Sequence, residues 1–129
     1  MLHKKVIILL ASISLLLAAC GQQSIQVGNP EAGEKLFHQV TIEAAPGCIT
    51  CHSTEPNKVI VGPSLAGIAS RAGERIPGQT AEEYLTNCIL NPNVYVVDGF
   101  PISVMYQKYK EALTDEQVRD LTAYLSTLK

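Results

Sequence analysis

Five consecutive residues, Cys48-Ile49-Thr50-Cys51-His52, place two thiols three positions apart and an imidazole directly after the second. Thiols pair as disulfides, thiolates and imidazoles bind metals, and thiols add to vinyl groups, so the cluster admits four readings. A redox-active disulfide of this spacing belongs after a strand and before a long helix in a βαβ setting, which this chain lacks. A structural zinc ion needs four ligands. The chain offers only His3, His38, His52 and four cysteines, with His3 in an N-terminal leader and Cys20 bound to another use. A structural disulfide closing so small a ring gains little loop entropy. The fourth reading employs all three side chains. Two thioethers about one helical turn apart fasten a haem through its vinyl groups, and the following imidazole is aimed at the iron.

Composition agrees with a cofactor in the middle of the fold. The chain has 129 residues, 47% of them apolar, but only two Phe, five Tyr and no Trp. That is one domain's length with few large side chains to fill a core. A buried porphyrin supplies the missing apolar surface. Ten Lys and Arg against twelve Asp and Glu leave a net charge of -2. This lacks the basic footprint of a nucleic-acid binder, so DNA and RNA are not expected partners.

The N-terminus reads as an export signal. His3-Lys4-Lys5 precedes an apolar run from Val6 to Leu17, which ends in Leu17-Ala18-Ala19-Cys20. The run is short for a bilayer span, though an anchor helix is the competing interpretation. Its ending resembles a bacterial lipobox, which implies cleavage of residues 1–19 and acylation of Cys20 as the lipid anchor. An ordinary signal followed by a chance cysteine is the alternative. Several acyl chains hold a small protein at a bilayer almost permanently. The expected location is therefore the extracytoplasmic face of the cell membrane. Losing Lys4 and Lys5 turns ten basic against twelve acidic residues into eight against twelve, a charge of -4. Basic partner surfaces would complement it. Residues 20–29 read as the lipid-anchored tether, whose Gln-, Ser- and Gly-containing part from Gly21 to Gly28 reaches roughly 25 Å, leaving residues 30–129 as the domain.

That domain is expected to be all-α, with four or so helices. Asn29-Pro30-Glu31 is a helix start, with Asn as cap and Pro at the first helical position. Gly33, Leu36, Phe37 and Val40 are then expected to share a face, Gly33 allowing another helix close. Thr80 with Glu83 and Thr114 with Gln117 form two capping boxes, the second stapled by Leu113 against Val118. The first of these helices presents Tyr84, Leu85, Cys88 and Ile89 and stops by Asn91-Pro92. The second presents Val118, Leu121, Tyr124, Leu125 and Leu128. A short segment with Leu65 and Ile68 follows Ser64. Val59–Val61 and Val94–Val97 are brief apolar runs in Pro-, Gly- and Asn-rich surroundings and read as loops. Cys88 reads as an inert thiol on a packed face.

With the haem motif in this helical setting, residues 30–129 resemble the class I c-type cytochromes. The resemblance implies the cytochrome c fold around one covalent haem c. It also gives Gly62-Pro63-Ser64-Leu65 a purpose, with the Pro63 carbonyl accepting the His52 Nδ1 proton. Such a bond fixes the tautomer and makes the ring a better donor to iron. For the sixth ligand, Met1 leaves with the signal, so Met105 is the one thioether available, and it lies where the family places its distal Met. His38 is the rival. The family commonly has Pro after that Met, whereas here Tyr106 follows. Residues 89–100 resemble cytochrome domains of respiratory complexes. The implied function is one-electron transfer between redox proteins, as a subunit of or carrier for a membrane respiratory complex linking quinol oxidation to a terminal oxidase. Were Met105 not on the iron, an open site would instead suit a haem enzyme or gas sensor.

Overall fold

The computed structural model describes residues 27–129. The leader, Cys20 and the tether as far as Gln26 lie outside the described residues. Among the described residues there are five α-helices: α1 (Pro30–Phe37), α2 (Ile68–Arg71), α3 (Ala81–Leu90), α4 (Tyr109–Ala112) and α5 (Asp115–Leu125). A two-stranded hairpin, β1 (Thr41–Ile42) and β2 (Ala45–Pro46), and short 3-10 turns at Cys48–Thr50 and Ala72–Glu74 complete the order. No described helix is long and apolar enough to cross a membrane.

The three longer helices begin where their side chains satisfy the first free backbone N–H groups. Asn29 Oδ1 accepts from the amides of Glu31 and Ala32. At α3 the Thr80 hydroxyl accepts from Glu83 N while Glu83 returns a carboxylate to Thr80 N. Thr114 and Gln117 repeat the exchange at α5. Leu113 and Val118, which flank that cap, are both buried in the common core.

The most extensive pairing of elements is α1 with α5. Gly33 makes it possible, because a Cβ there would enter the backbone of Asp120 and press on Tyr124 Cβ. The chain is docked on α5 even before α1 starts. Asn29 N donates to Asp120 Oδ1 at 2.7 Å, and Gly28 sits against the backbone of Arg119. Phe37, Leu121 and Leu125 extend this contact into the core.

Val40 does not continue the apolar face of α1. The helix ends at Phe37 with His38 as its C-cap, and Val40 is 69% exposed. The chain turns there because the Val40 carbonyl accepts Gly47 N at 2.8 Å, closing the hairpin that leads into the Cys48 turn. The segments 59–61 and 94–97 are irregular, as their surroundings imply.

Candidate haem site

Cys48, Cys51, His52 and Met105 all line one cavity of 360 Å3 whose walls are mainly apolar. The cysteine wall is built by local backbone bonds. Cys51 N and His52 N both donate to Cys48 O, at 3.1 and 2.9 Å, winding the motif into a turn that presents its side chains inward. Val61 N and Gly62 N then return to Cys51 O, and Leu65 N to Ser53 O. Residues 51–65 thus form a loop closed on itself at two places.

This closure seats the imidazole. His52 Nδ1 lies 2.9 Å from Pro63 O. A carbonyl only accepts, so the proton is on Nδ1 and Nε2 keeps its lone pair. Burial holds the ring's pKa below its ordinary value, with the Pro63 bond acting in the opposite sense. A neutral imidazole with a free Nε2 is the form that binds a metal. Gly62 is required beside it, since a Cβ there would stand 2.5 Å from His52 Cε1. Burial also pushes the Cys48 thiol up to about 11, reinforced by Cys51. Among the described residues no disulfide joins Cys48, Cys51 or Cys88.

The opposite wall comes from a different part of the chain. Met105 belongs to the segment between α3 and α4, packed partly against the core with Tyr106. The Tyr106 ring meets Tyr109 edge to face at 5.1 Å, and the Tyr109 hydroxyl donates to Pro46 O at 2.7 Å. The Met wall is therefore tied to the hairpin preceding the cysteine motif. His38, the rival ligand, is an exposed residue that does not line the cavity. Among the described residues no group of three or more His, Cys, Asp or Glu is placed to hold a metal ion.

A third group of residues carried no signal in the sequence. Arg71 and Arg75 line the same cavity. Arg71 donates to Ala66 O and Ser64 O, pinning the turn after Pro63. Arg75 donates to the Tyr95 hydroxyl at 3.1 Å and lies 5.7 Å above that ring, but its buried Nε has no hydrogen-bond partner. A buried guanidinium nitrogen without a partner leaves a place for an acceptor, and a carboxylate would suit its charge. The residues present therefore fit a haem: thiols for its vinyl groups, imidazole and thioether for its iron, apolar walls for its ring and Arg75 for its carboxylates. Cys88 packs against the core, as expected, and also lines this cavity, and burial raises its pKa.

Comparison with known proteins agrees with this construction. The family model described as Cytochrome c matches residues 30–129. The chain is similar to the cytochrome c2 of Rhodopila globiformis, with 32% identity over 108 residues, covering 79% of this chain and 95% of that protein. Members of the family carry one covalent haem c on a Cys-x-x-Cys-His motif and transfer electrons rather than catalyse reactions of a substrate. From motif, cavity and these likenesses together, the chain belongs to the cytochrome c family as a class I c-type cytochrome, a monohaem electron carrier.

Proposed function

We propose that this cytochrome works at the outer face of a cell membrane, tethered through acylated Cys20, and passes electrons to or from a membrane respiratory complex as its subunit or dedicated carrier. Cys48 and Cys51 would hold the haem through thioethers, His52 and Met105 would ligate its iron, and Pro63 would orient His52. The observation that carries the ligand set is that His52 and Met105 line one apolar cavity, the first with Nε2 left free by its bond to Pro63. The haem so held supplies a one-electron redox centre, and a His/Met pair raises its potential. The chain's own part is to exclude water from the ring, keep His52 neutral and offer Arg75 as a counter-charge.

The surface around the cavity mouth supports docking to a protein partner. Six of the eight large apolar side chains exposed among the described residues lie at 59–61 and 94–104, namely Val59, Ile60, Val61, Val94, Ile102 and Val104. Both segments contribute to the cavity wall. Residues 59–70 carry no charge and residues 89–107 only Asp98. The acidic balance of the chain is thus carried elsewhere, and this rim favours an apolar partner face over a basic one. Electron transfer to such a partner changes little with added salt, whereas an electrostatically steered encounter slows steeply.

Two measurements test the reading. The mass of the mature protein should equal a chain beginning at Cys20 plus one haem and acyl chains; a chain without the lipid mass removes the anchor. After mild detergent extraction the protein should travel with a larger redox complex. Elution alone would favour a mobile shuttle.

A further inference from the structure

Between the end of α3 at Leu90 and the start of α4 at Tyr109, 18 residues run without helix or strand, and Met105 lies near the far end. Its middle is half-buried at Tyr95, Val96, Val97 and Phe100, which line the cavity, whereas Val94, Ile102 and Val104, beside the two ends of the loop, are exposed and add little apolar hold there. Its neck is closed by a polar side chain. Asn93 Oδ1 accepts from Ser103 N at 2.9 Å, and Asn93 Nδ2 donates to Ser103 Oγ at 3.1 Å and to Gln107 Oε1 at 2.7 Å. Gln107 Nε2 in turn donates to Met105 O at 2.6 Å. The two amides cannot be exchanged end for end. A backbone N–H at Ser103 only donates and a carbonyl at Met105 only accepts, so each amide has one orientation that satisfies the chain.

Ser103 adds a second sign that this neck is held. Its φ is 65°, in the left-handed region that residues with a Cβ adopt when their surroundings hold them there. Both its N–H and its hydroxyl are bonded to Asn93.

We propose that Asn93 is a positioning residue for the iron ligand Met105. It closes the loop neck at Ser103 and, through Gln107, fixes the Met105 carbonyl, so that the thioether leaves its place less often. The inference rests on the assignment of Met105 as sixth ligand. An external ligand can take the iron only in the fraction of molecules whose thioether has moved away, so its apparent affinity measures that fraction. Loss of three solvent-exposed hydrogen bonds of ordinary strength should raise the fraction about tenfold.

The test uses the haem-loaded, oxidised protein, titrated with imidazole while the sulfur-to-iron charge-transfer band is followed. Thermal unfolding by far-UV circular dichroism is recorded alongside. Asn93→Ala should bind imidazole about tenfold more tightly than the parent. Asn93→Asp keeps an acceptor for the Ser103 N–H and can also accept from its hydroxyl, but it loses the bond donated to Gln107, and should fall between them. Gln107→Ala should shift the affinity less, and should add little in the Asn93→Ala background because the two share a bond. Should Asn93→Ala fail to load haem, Gln107→Ala and Asn93→Asp carry the test. Superimposable titrations for parent and variants would overturn the clamp, as would an affinity change matched by an equal loss of global stability. A parent protein that shows no charge-transfer band at all would overturn the Met105 assignment itself, and the clamp with it.

Discussion

The two walls of the cavity are built by opposite means. The His52 wall is local: its turn, its return at Gly62 and its bond to Pro63 all fall within residues 48–65 and are mostly backbone bonds. The Met105 wall hangs from an 18-residue irregular segment fastened by side chains: Asn93 and Gln107 at its neck, Tyr95 against Tyr84 and Arg75, and the Tyr106–Tyr109 contact. Backbone bonds closing short loops cost little entropy, whereas a long segment held by exposed side-chain amides opens more readily. The molecule therefore has a stiff proximal side and a softer distal one, and any ligand exchange should occur at Met105.

The largest effects should come from the stiff wall. His52→Ala removes an axial ligand from the wall that also bears both thioethers, and should reduce haem per chain, measured by absorption after extraction of the pigment, to near zero. Met105→Ala is expected to be milder in retention and large in potential. The haem stays attached through Cys48, Cys51 and His52, while the reduction potential falls by on the order of 100 mV, within the ~0.8 V span that axial ligands control. Equal haem retention in the two variants would erase the contrast between the walls.

Gly62→Ala sharpens it further. The new Cβ would meet His52 Cε1 and Nδ1, and the ring cannot move away without losing Pro63. Overpacking of this kind costs about 1–3 kcal/mol, which denaturant unfolding would register. A Gly62→Ala protein as stable as the parent would show that the His52 wall is more compliant than its bonds imply.

The smallest effect is the pH dependence. Burial depresses the His52 pKa below the 6.5 of a free histidine. As pH falls beneath 6.5, the unfolded chain gains a proton that the folded chain refuses, so stability present above 6.5 is progressively lost. A bond to iron at Nε2 acts in the same direction. Thermal midpoints should therefore fall with pH in this window. A rise would mean that the Pro63 bond, which favours the protonated ring, outweighs burial.

How much of this was legible in the chain follows the same division between local and distant. The caps at Asn29, Thr80 and Thr114 are contests between a side chain and the next few backbone amides, so their types and spacing announce them. Gly33 was readable as a close approach because a glycine inside a helix needs a reason. Helix α4 was not, as its cap Lys108 makes no side-chain bond and the helix is only four residues long. Val40 was misplaced by extending α1's period past His38, where the hairpin takes over. In the site, Cys48, Cys51 and His52 declare themselves by adjacency. Arg75, Tyr95 and Asn93 do not, because they reach the cavity only after α2, α3 and the distal loop have been brought together. Tyr106, standing where the resemblance leads one to expect Pro, packs edge-on against Tyr109.

The most direct test of the account is the absorption spectrum of the purified, oxidised, haem-loaded protein beside its Met105→Ala variant. The account predicts a low-spin c-type spectrum with a sulfur-to-iron charge-transfer band in the parent and its loss in the variant. A parent spectrum without that band, or a band that survives in Met105→Ala, would contradict it.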